Sequence, residues 1–329
     1  MKQRPAKTAR PKIKKRKLST VRLFLLVIIF VMIISAVVFA AVFSYRWVED
    51  FLYNSNRNSS IIDPEFDNAK FQKIPYRNIL IVGLDKATKL TDRPNADYLA
   101  VLSVAPRGCF PAVVLQIPVK AILPNSESKQ IVSLQQLYAV GGPLSIANTL
   151  AKSYSIPVTD YIIVDYMAMT KIIDIAGGID VFVENNYNYD DPHTATSIHI
   201  KSGFQHFDGK SAVDYARFCK DELGDEGRNK RQARITRELW AKVFSGKNLL
   251  HALELRQLLE KDIVTDMSLS RLSTTALALI ISDPKTIITF TAPGKYISDK
   301  NNLIFKIDEA KFKEIAYSTY YEIKQEGKK

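Results

Sequence analysis

Hydrophobic residues occur along this chain first as one long block and then as short runs. The block is Leu23–Phe43, which is 21 residues long, has Ser35 as its only polar side chain and carries no charge. Crossing the hydrocarbon layer of a bilayer takes about 20 apolar residues. A cleaved signal peptide is the alternative, but its apolar region normally has only about 7–15 residues. The length of the block therefore favours a retained transmembrane helix over residues 23–43.

The short apolar runs that follow residue 75 predict buried strands, because runs with little alternation are typical of strands covered on both faces. The predicted strands are Asn78–Leu84, Tyr98–Val104, Ala112–Ile117, Tyr161–Val164 and Ile179–Val183. The predicted helices are Gly141–Ser153, Met167–Ala176, Lys210–Phe218, Arg228–Phe244 and Leu269–Ile281. This order of strands and helices indicates an α/β fold of α-β-α layers, a mixed central sheet with helices on both faces.

Charge distinguishes the N-terminus from the rest of the chain. Residues 1–22 hold ten lysines and arginines and no acidic residue. The positive-inside rule places this basic tail in the cytoplasm and everything after Phe43 outside the membrane. Removing these ten from the 46 basic residues leaves 36 against 34 acidic residues, so the outer part is almost neutral. The basic tail fits anionic lipid headgroups, and the net charge gives no reason to predict nucleic acid as a partner.

The outer part divides into a polar segment and one domain. Residues 44–74 are rich in Asn and Ser and have no clean periodicity, so we predict an extracytoplasmic stalk. Residues 75–329 form the predicted extracytoplasmic domain, and about 250 residues are within reach of a single domain. Cys109 and Cys219 are the only cysteines and lie 110 residues apart. No zinc-type cluster is present, and we expect free thiols.

Candidate phosphate chemistry is concentrated in Gly203–Gln232, which contains Arg217, Arg228 and Arg231. Arginine presents a rigid fork of donors that suits phosphate oxygens. Arg228 and Arg231 are three residues apart, so they share a face of a helix. Arg228 also follows a glycine-containing break, near a predicted helix N-terminus that would attract anions. A solvated charged surface is the alternative interpretation. Asp85 directly follows the first strand, where ligands gather in α/β folds.

A second candidate surface is aromatic. The segment Tyr187–Tyr189 is followed by Asp190 and Asp191. Its composition predicts an exposed loop, and aromatic side chains there are candidates for contact with a sugar polymer.

Several short blocks occur in a particular order along the outer domain. They are the strand ending at Asp85, Asn95–Asp97, Gln116–Pro118, Ala139–Gly142, Asp160–Asp165, Ala176–Val181, Gly203–Arg217 and Gly227–Gln232. In this order, behind one N-terminal anchor, they resemble the LytR-CpsA-Psr family of cell-envelope proteins.

The resemblance implies a transferase in the bacterial cell membrane, with its C-terminal domain extracytoplasmic. Such proteins move a glycopolymer, for example teichoic acid or capsule, from an undecaprenyl-pyrophosphate carrier to peptidoglycan, or in some members to protein. The implied partners are therefore the polyprenyl-pyrophosphate-linked glycopolymer, peptidoglycan and membrane lipid, with Mg²⁺ on the pyrophosphate. The chemistry is coherent, because phosphoryl transfer needs mainly positioning and charge neutralisation. A hard cation on carboxylates, together with arginines, supplies both.

The resemblance also assigns roles to residues. Asp85 and Asp97 are expected to hold the metal, and Arg217 and Arg228 to bind the pyrophosphate. Asp225 matches the acidic residue just before Arg228, which gives a catalytic pair in which Asp225 orients an arginine or acts as a base.

The last two assigned positions, Arg231 and Gln232, match the family's Arg-Gln pair. They are expected to contribute to phosphate binding or to be structural.

Three phosphate-facing arginines of the family pattern are replaced in this chain. The replacements are Asn95, Val119 and Cys219. Losing one preorganised donor commonly costs about 3 kcal/mol in the transition state. Three positively charged residues lie close in sequence to the replaced positions, but not at them: Arg93, Lys120 and Lys220. A shift of one residue in a strand turns a side chain to the other face, so the sequence leaves open whether these cations point into the site or are solvated surface charges.

Two functions follow from these differences. The first is an active but divergent glycopolymer–peptidoglycan phosphotransferase. The alternative is a catalytically degenerate relative that binds polyprenyl phosphate or wall polymer, or that acts as a scaffold for active paralogues. A transcriptional regulator is a third idea, but it rests on the basic tail, which the membrane explains better.

Overall fold

The computed structural model describes residues 71–73, 76–85, 96–105, 110–124, 131–191, 196–243, 261–282, 287–299 and 302–323. The predicted cytoplasmic tail and transmembrane helix lie outside these residues, as does all of the predicted stalk except residues 71–73. Within the described ranges, none of the helices combines the length and the apolar character needed to cross a membrane.

The described residues form sixteen strands and six helices. The strands are β1 (Phe71–Lys73), β2 (Arg77–Leu84), β3 (Ala96–Val104), β4 (Val113–Gln116), β5 (Ile122–Pro124), β6 (Ile131–Ser133), β7 (Asp160–Asp165), β8 (Ile179–Val183), β9 (Tyr187–Asp191), β10 (Thr196–Ile200), β11 (Gly203–Phe207), β12 (Ile263–Thr265), β13 (Ile288–Thr291), β14 (Gly294–Asp299), β15 (Asn302–Ile307) and β16 (Tyr321–Ile323). The helices are α1 (Leu134–Tyr154), α2 (Tyr166–Ile175), α3 (Gly209–Arg217), α4 (Gly224–Val243), α5 (Leu269–Ile281) and α6 (Glu309–Tyr320).

A six-stranded mixed sheet in the order β12-β7-β2-β3-β4-β13 forms the centre of the domain. β2 is parallel to β7 and antiparallel to β3. β4 is antiparallel to β3 and parallel to β13. The remaining described strands pair two by two, and β1 pairs with β16 near the chain's other end. The predicted mixed central sheet is confirmed.

Helices cover both faces of this sheet because neighbouring side chains of its strands point to opposite faces. On one face, Leu80 belongs to a core that also includes Leu150 of α1 and Phe312 of α6. On the other face, Ile79 packs in a core with Leu279 of α5. Burial on both faces explains why the sheet strands read as continuous apolar runs. The layered arrangement predicted from the sequence is confirmed.

A separate hydrophobic cluster supports the arginine-bearing helices. Strand β8 pairs with β11 in a two-stranded ribbon, and β9 pairs with β10 in another. The inner sides of both ribbons pack with Tyr215 of α3 and Ile235 of α4. The strand predicted at Ile179–Val183 is confirmed, but it lies in this ribbon and not in the central sheet.

Two helix starts were predicted too late. α1 begins at Leu134, since Ser133 and Gln136 form a reciprocal capping box that satisfies the first free N–H groups. The glycines predicted to open this helix instead form a kink, where Gly142 has φ +66°.

α4 begins at Gly224 and continues through Gly227. Arg228 therefore lies in the second turn, and its own guanidinium, not a helix N-terminus, supplies the positive charge there.

The predicted loop at Tyr187–Tyr189 is wrong, because these residues belong to strand β9. Tyr187 is only 4% exposed. Its ring packs against the rings of Tyr215 and Phe218, at centroid distances of 5.7 and 4.9 Å. The Asn and Asp residues of the segment suggested a loop, but the buried tyrosine is part of the core.

Replacing Tyr187 with alanine is accordingly expected to destabilise the fold by about 3 kcal/mol, because it leaves a cavity in the cluster beneath α3 and α4. Phe204→Ala is the matched control, since Phe204 is 86% exposed on the neighbouring ribbon. Its loss should change the free energy of unfolding by less than about 0.5 kcal/mol. Urea denaturation of both variants tests this, and equal costs would contradict the assignment of Tyr187 to the core.

Candidate functional site

The candidate site lies at one edge of the central sheet, where β2 ends and β3 begins. Asp85 directly follows β2, and Asp97 is the second residue of β3. Leu84 is the register partner of Ala96 in this antiparallel pair. The two carboxylates are close enough for the charge of Asp85 to act on Asp97. The edge beyond the β2 terminus is therefore where the structure brings the two predicted metal ligands together.

Arg217 and Tyr166 join these carboxylates into one network. Arg217, the last residue of α3, donates from Nη2 to Oδ1 of Asp85 at 2.7 Å. Its guanidinium carbon lies 4.4 Å from the centroid of the Tyr166 ring. The Tyr166 hydroxyl in turn donates to Oδ2 of Asp97 at 3.0 Å. Tyr166 thus supports the arginine through its ring and the second carboxylate through its hydroxyl.

Sequence reasoning missed Tyr166. The sequence contains a signal for Tyr166, because this residue lies two positions after the end of the strand predicted at Tyr161–Val164. β7 is parallel to β2, so both strands end at the same edge of the sheet. Residues just beyond parallel strand ends are the ones that meet at a site of this fold class.

The electrostatics of this edge fit a cation. Burial raises the pKa of the Asp97 carboxyl, and the charge of Asp85 raises it further. The Tyr166 hydrogen bond and the charges of Arg228 and Arg217 act in the opposite direction. Burial also raises the pKa of the Tyr166 hydroxyl, so it remains a hydrogen-bond donor to Asp97.

The two carboxylates are compatible with a Mg²⁺ ion whose coordination is completed by substrate. Among the described residues, no group of three or more His, Cys, Asp or Glu side chains is arranged to hold a metal. Asp85 and Asp97 supply two carboxylates. Mg²⁺ is commonly bound by only one or two carboxylates, with substrate phosphates and water as its other ligands. A half-buried carboxylate next to a second one is the environment that a cation would stabilise.

Asp225, Arg228 and Lys120 form a second cluster at the N-terminal part of α4. Nη2 of Arg228 lies 2.6 Å from Oδ1 of Asp225, and Nζ of Lys120 lies 2.5 Å from Oδ2. The charge of Arg228 also acts on Asp97, which links this cluster to the first network. Since each oxygen of Asp225 faces a cation, the carboxylate holds both cations in position.

Arg231 has only internal partners. Its side chain is 2% exposed, and its guanidinium lies 2.5 Å from Oδ2 of Asp221 and donates to the carbonyl of Phe218. The rings of Tyr187 and Phe218 flank it at 4.9 and 5.4 Å. These contacts favour a structural role for Arg231 over a phosphate contact, although it shares a helix with Arg228.

Gln232 ties α4 to the sheet. Its Nε2 donates to the backbone carbonyl of Asp97 at 3.2 Å, and its Oε1 accepts from Nε2 of Gln116 at 3.4 Å. Gln116 also donates to the carbonyl of Asn229 at 3.2 Å. These buried hydrogen bonds fix Arg228 and Asp97 relative to one another, which makes Gln232 a positioning residue.

The replaced arginine positions have different environments. The Val119 side chain is 4% exposed and belongs to the hydrophobic core. Cys219 is half-buried and has a free thiol. Lys220 lies over the ring of Tyr189, with Nζ 5.6 Å from the centroid. Of the three nearby cations, Lys120 reaches the site, and Arg93 lies outside the described residues. The replaced position Asn95 and the second cysteine, Cys109, also lie outside them.

The fold and this edge together define a class of protein. It is a layered α/β domain in which one sheet edge gathers paired carboxylates, two partly exposed arginines and a lysine, a set that suits phosphate and a divalent cation. The sequence model of the LytR_cpsA_psr family matches residues 51–320. The chain belongs to the LytR_cpsA_psr family, and the resemblance found in the sequence is confirmed.

Individual relatives agree with this assignment. The chain is 25% identical over 269 residues to the polyisoprenyl-teichoic acid–peptidoglycan teichoic acid transferase TagV of Bacillus subtilis (strain 168), covering 79% of this chain and 66% of the relative. It is 28% identical over 206 residues to the transferase of the same description, TagU, of Bacillus mycoides (strain KBAB4), covering 61% and 64%. The aligned part of the chain thus spans slightly less than two thirds of the length of these curated relatives.

A solved structure shows the same fold. The crystal structure of B. subtilis TagV aligns with a TM-score of 0.62 and 23% sequence identity, covering 75% of this chain and 98% of that chain. The arrangement of a mixed central sheet with helices is therefore that of known family structures.

Proposed function

We propose that this protein is an active transferase that moves a glycopolymer from a polyprenyl-pyrophosphate carrier to peptidoglycan. The observation that carries the proposal is the convergence of Asp85, Asp97, Arg217, Arg228 and Lys120 on one sheet edge, from segments far apart in sequence. The teichoic acid transferases that the chain resembles support the same substrate class. A glycopolymer of the teichoic acid or capsule type fits this proposal.

In the proposed reaction, a hydroxyl oxygen of the acceptor attacks the phosphorus that bears the polymer. The bond from this phosphorus to the bridging oxygen breaks, and polyprenyl monophosphate leaves. Arg217 and Arg228 hold the phosphate oxygens and offset the charge that develops on them. Mg²⁺ held by Asp85 and Asp97 would add positive charge on the pyrophosphate. The proton of the acceptor hydroxyl passes to a carboxylate of the site, for which Asp225 is the candidate.

The membrane anchor is part of the same proposal. The carrier is a membrane lipid, so a transmembrane helix at residues 23–43 would keep an extracytoplasmic site beside its substrate. The basic residues of the tail would remain at the cytoplasmic headgroups. Accessibility of an engineered tag at each terminus to added protease, in intact cells and in broken cells, tests this orientation.

Turnover by the full-length protein in liposomes tests the function. With a synthetic polyprenyl-pyrophosphate disaccharide and a peptidoglycan fragment, we expect release of polyprenyl monophosphate that requires Mg²⁺ or Mn²⁺. Arg217→Ala should lower the rate by about 100-fold, since it removes a preorganised donor. Arg237→Ala is the control, because Arg237 is exposed on α4 and pairs with its neighbour Glu238.

The same assay addresses the degenerate alternative, which the burial of Val119 in the core favours because no charge remains at that position. Retention of the lipid carrier without turnover in any divalent metal would overturn the transferase proposal. The protein would then be a lipid-binding or polymer-binding relative.

A further inference from the structure

Position 120 is fixed by the backbone around it. The turn that follows β4 closes when the N–H of Ala121 donates to the carbonyl of Pro118 at 2.8 Å. The carbonyl of Val119 accepts from the N–H of Gln135 at 3.0 Å, and that of Lys120 accepts from the N–H of Phe305 at 2.9 Å. With the backbone held from both sides, the Val119 side chain enters the core and the Lys120 side chain extends to α4.

The cluster of Lys120, Arg228 and Asp225 has two positively charged side chains and one negatively charged side chain. Lys120 and Arg228 share the single carboxylate of Asp225, at 2.5 and 2.6 Å. The Arg228 and Asp225 side chains are 15% and 13% exposed, so water screens their charges weakly, whereas the Lys120 side chain is 33% exposed and is open to a ligand. Nε of Arg228 is buried and has no hydrogen-bond partner among the described residues. The same is true of Nε of Arg231, a structural residue, so the excess charge, and not the unpaired Nε, points to an anion.

A pyrophosphate matches the charges of Lys120 and Arg228 better than the Asp225 carboxylate that pairs with them in the structure. Its oxygens carry more charge than Asp225 and can accept from a guanidinium fork and from an ammonium at once. The cluster also lies near the carboxylate pair, because Gln232, one turn after Arg228 on α4, donates to the Asp97 carbonyl at 3.2 Å, and the charge of Arg228 acts on Asp97. Phosphate oxygens between the two networks would therefore meet Arg217, Arg228 and Lys120 together.

We infer that Lys120 binds the pyrophosphate in place of the missing arginine, and that Asp225 holds Lys120 and Arg228 only until the pyrophosphate displaces it. The inference rests on the proposed function and assigns two residues within it. Displacement leaves a carboxylate without its cations beside the phosphate, where the acceptor hydroxyl would need a proton acceptor. Asp225 thus competes with the substrate first and assists it afterwards.

Calorimetric binding of inorganic pyrophosphate to the full-length protein in detergent, with Mg²⁺, tests this assignment. Lys120→Met should weaken binding by about tenfold or more, equivalent to about 1.4 kcal/mol. Lys120→Arg should bind within about threefold of the wild type, because the positive charge is kept. Asp225→Asn should strengthen binding, since the competing carboxylate is gone, and should lower kcat in the liposome assay.

A second lysine–aspartate pair gives the control. Lys210 and Asp214 on α3 are also 2.5 Å apart, but they are an i,i+4 pair in which the Lys210 side chain is 74% exposed. Lys210→Met and Asp214→Asn should leave pyrophosphate affinity unchanged. Thermal unfolding of every variant separates a lost contact from a lost fold, and Lys120→Arg covers the case in which Lys120→Met unfolds.

The results of these experiments distinguish the roles of Lys120 and Asp225 from the proposed transferase function. Wild-type affinity in Lys120→Met, with Mg²⁺-dependent turnover intact, would overturn the role of Lys120 and leave the transferase in place. Unchanged or weaker binding in Asp225→Asn would overturn displacement. A wild-type protein that neither binds pyrophosphate nor turns over would overturn the inference and the proposed function together.

Discussion

Asp97→Asn is expected to lower glycopolymer transfer by at least about 100-fold while making the metal-free protein more stable at pH 7. The asparagine keeps the size of the side chain and can still accept the Tyr166 hydrogen bond. It lacks the negative charge that a metal requires. Burial raises the pKa of Asp97 in the folded protein, so ionisation of this carboxyl at neutral pH opposes folding.

The sign of the effect follows from that pKa. A carboxyl whose pKa is raised by folding adds stability while it is protonated and loses that contribution as pH rises through the folded value. The advantage of Asp97→Asn should therefore be present at pH 7. It should vanish below about pH 4, where the carboxyl is protonated in both the folded and unfolded states. Thermal unfolding over this pH range, without divalent metal, measures it.

Asp180→Asn supplies a control of opposite sign. Asp180 is exposed, and its hydrogen bond with His206 lowers the pKa of its carboxyl. Ionised Asp180 thus favours the folded state above the unfolded pKa, and its replacement should slightly lower stability at pH 7. Full turnover by Asp97→Asn, or lower stability than the wild type at pH 7, would contradict the role given to Asp97.

Arg231→Met is expected to destabilise the domain by about 3–5 kcal/mol, the usual cost of removing one partner of a buried ion pair. The change leaves Asp221 without its cation and the carbonyl of Phe218 without its donor. It also removes a charge from between two aromatic rings. The segment that precedes α4 is held by these contacts, so transfer activity should be lost at temperatures where the wild type is active.

Urea denaturation measures the change in the free energy of unfolding for this variant. Arg237→Met is the matched control on the same helix, because Arg237 is mostly exposed and Glu238 is its ion-pair partner among the described residues. An exposed pair of this kind contributes less than about 1 kcal/mol. If Arg231→Met unfolded at the same urea concentration as Arg237→Met but no longer bound pyrophosphate, Arg231 would be a phosphate ligand and not a structural residue.

The sheet was predictable because its signal is local. Residues 78–84 lie in a strand buried on both faces, with Ile79 in one core and Leu80 in the other. Such a strand reads as an apolar run in any context. Helix starts were less predictable, because a capping box at Ser133 and a tolerated glycine at position 227 decide them.

The sequence also determined which side chains were candidates for the site. The sequence and its family resemblance select Asp85 and Asp97 at strand termini and Arg217 and Arg228 on successive helices, and the structure brings them to one edge. The order of short blocks was sufficient to recognise the family, because it depends on composition and succession along the chain and not on contacts.

Only the tertiary structure separated residues that look alike in the sequence. It buried Arg231 and left Arg228 at the site, and it placed Lys120 against Asp225, which lies 105 positions later. It also joined Tyr166 to Asp97 across 69 positions. Hydrophobic periodicity reports how each segment meets its immediate surroundings. Contacts between distant segments depend on how the turns and helices close in three dimensions, and no local pattern encodes that closure.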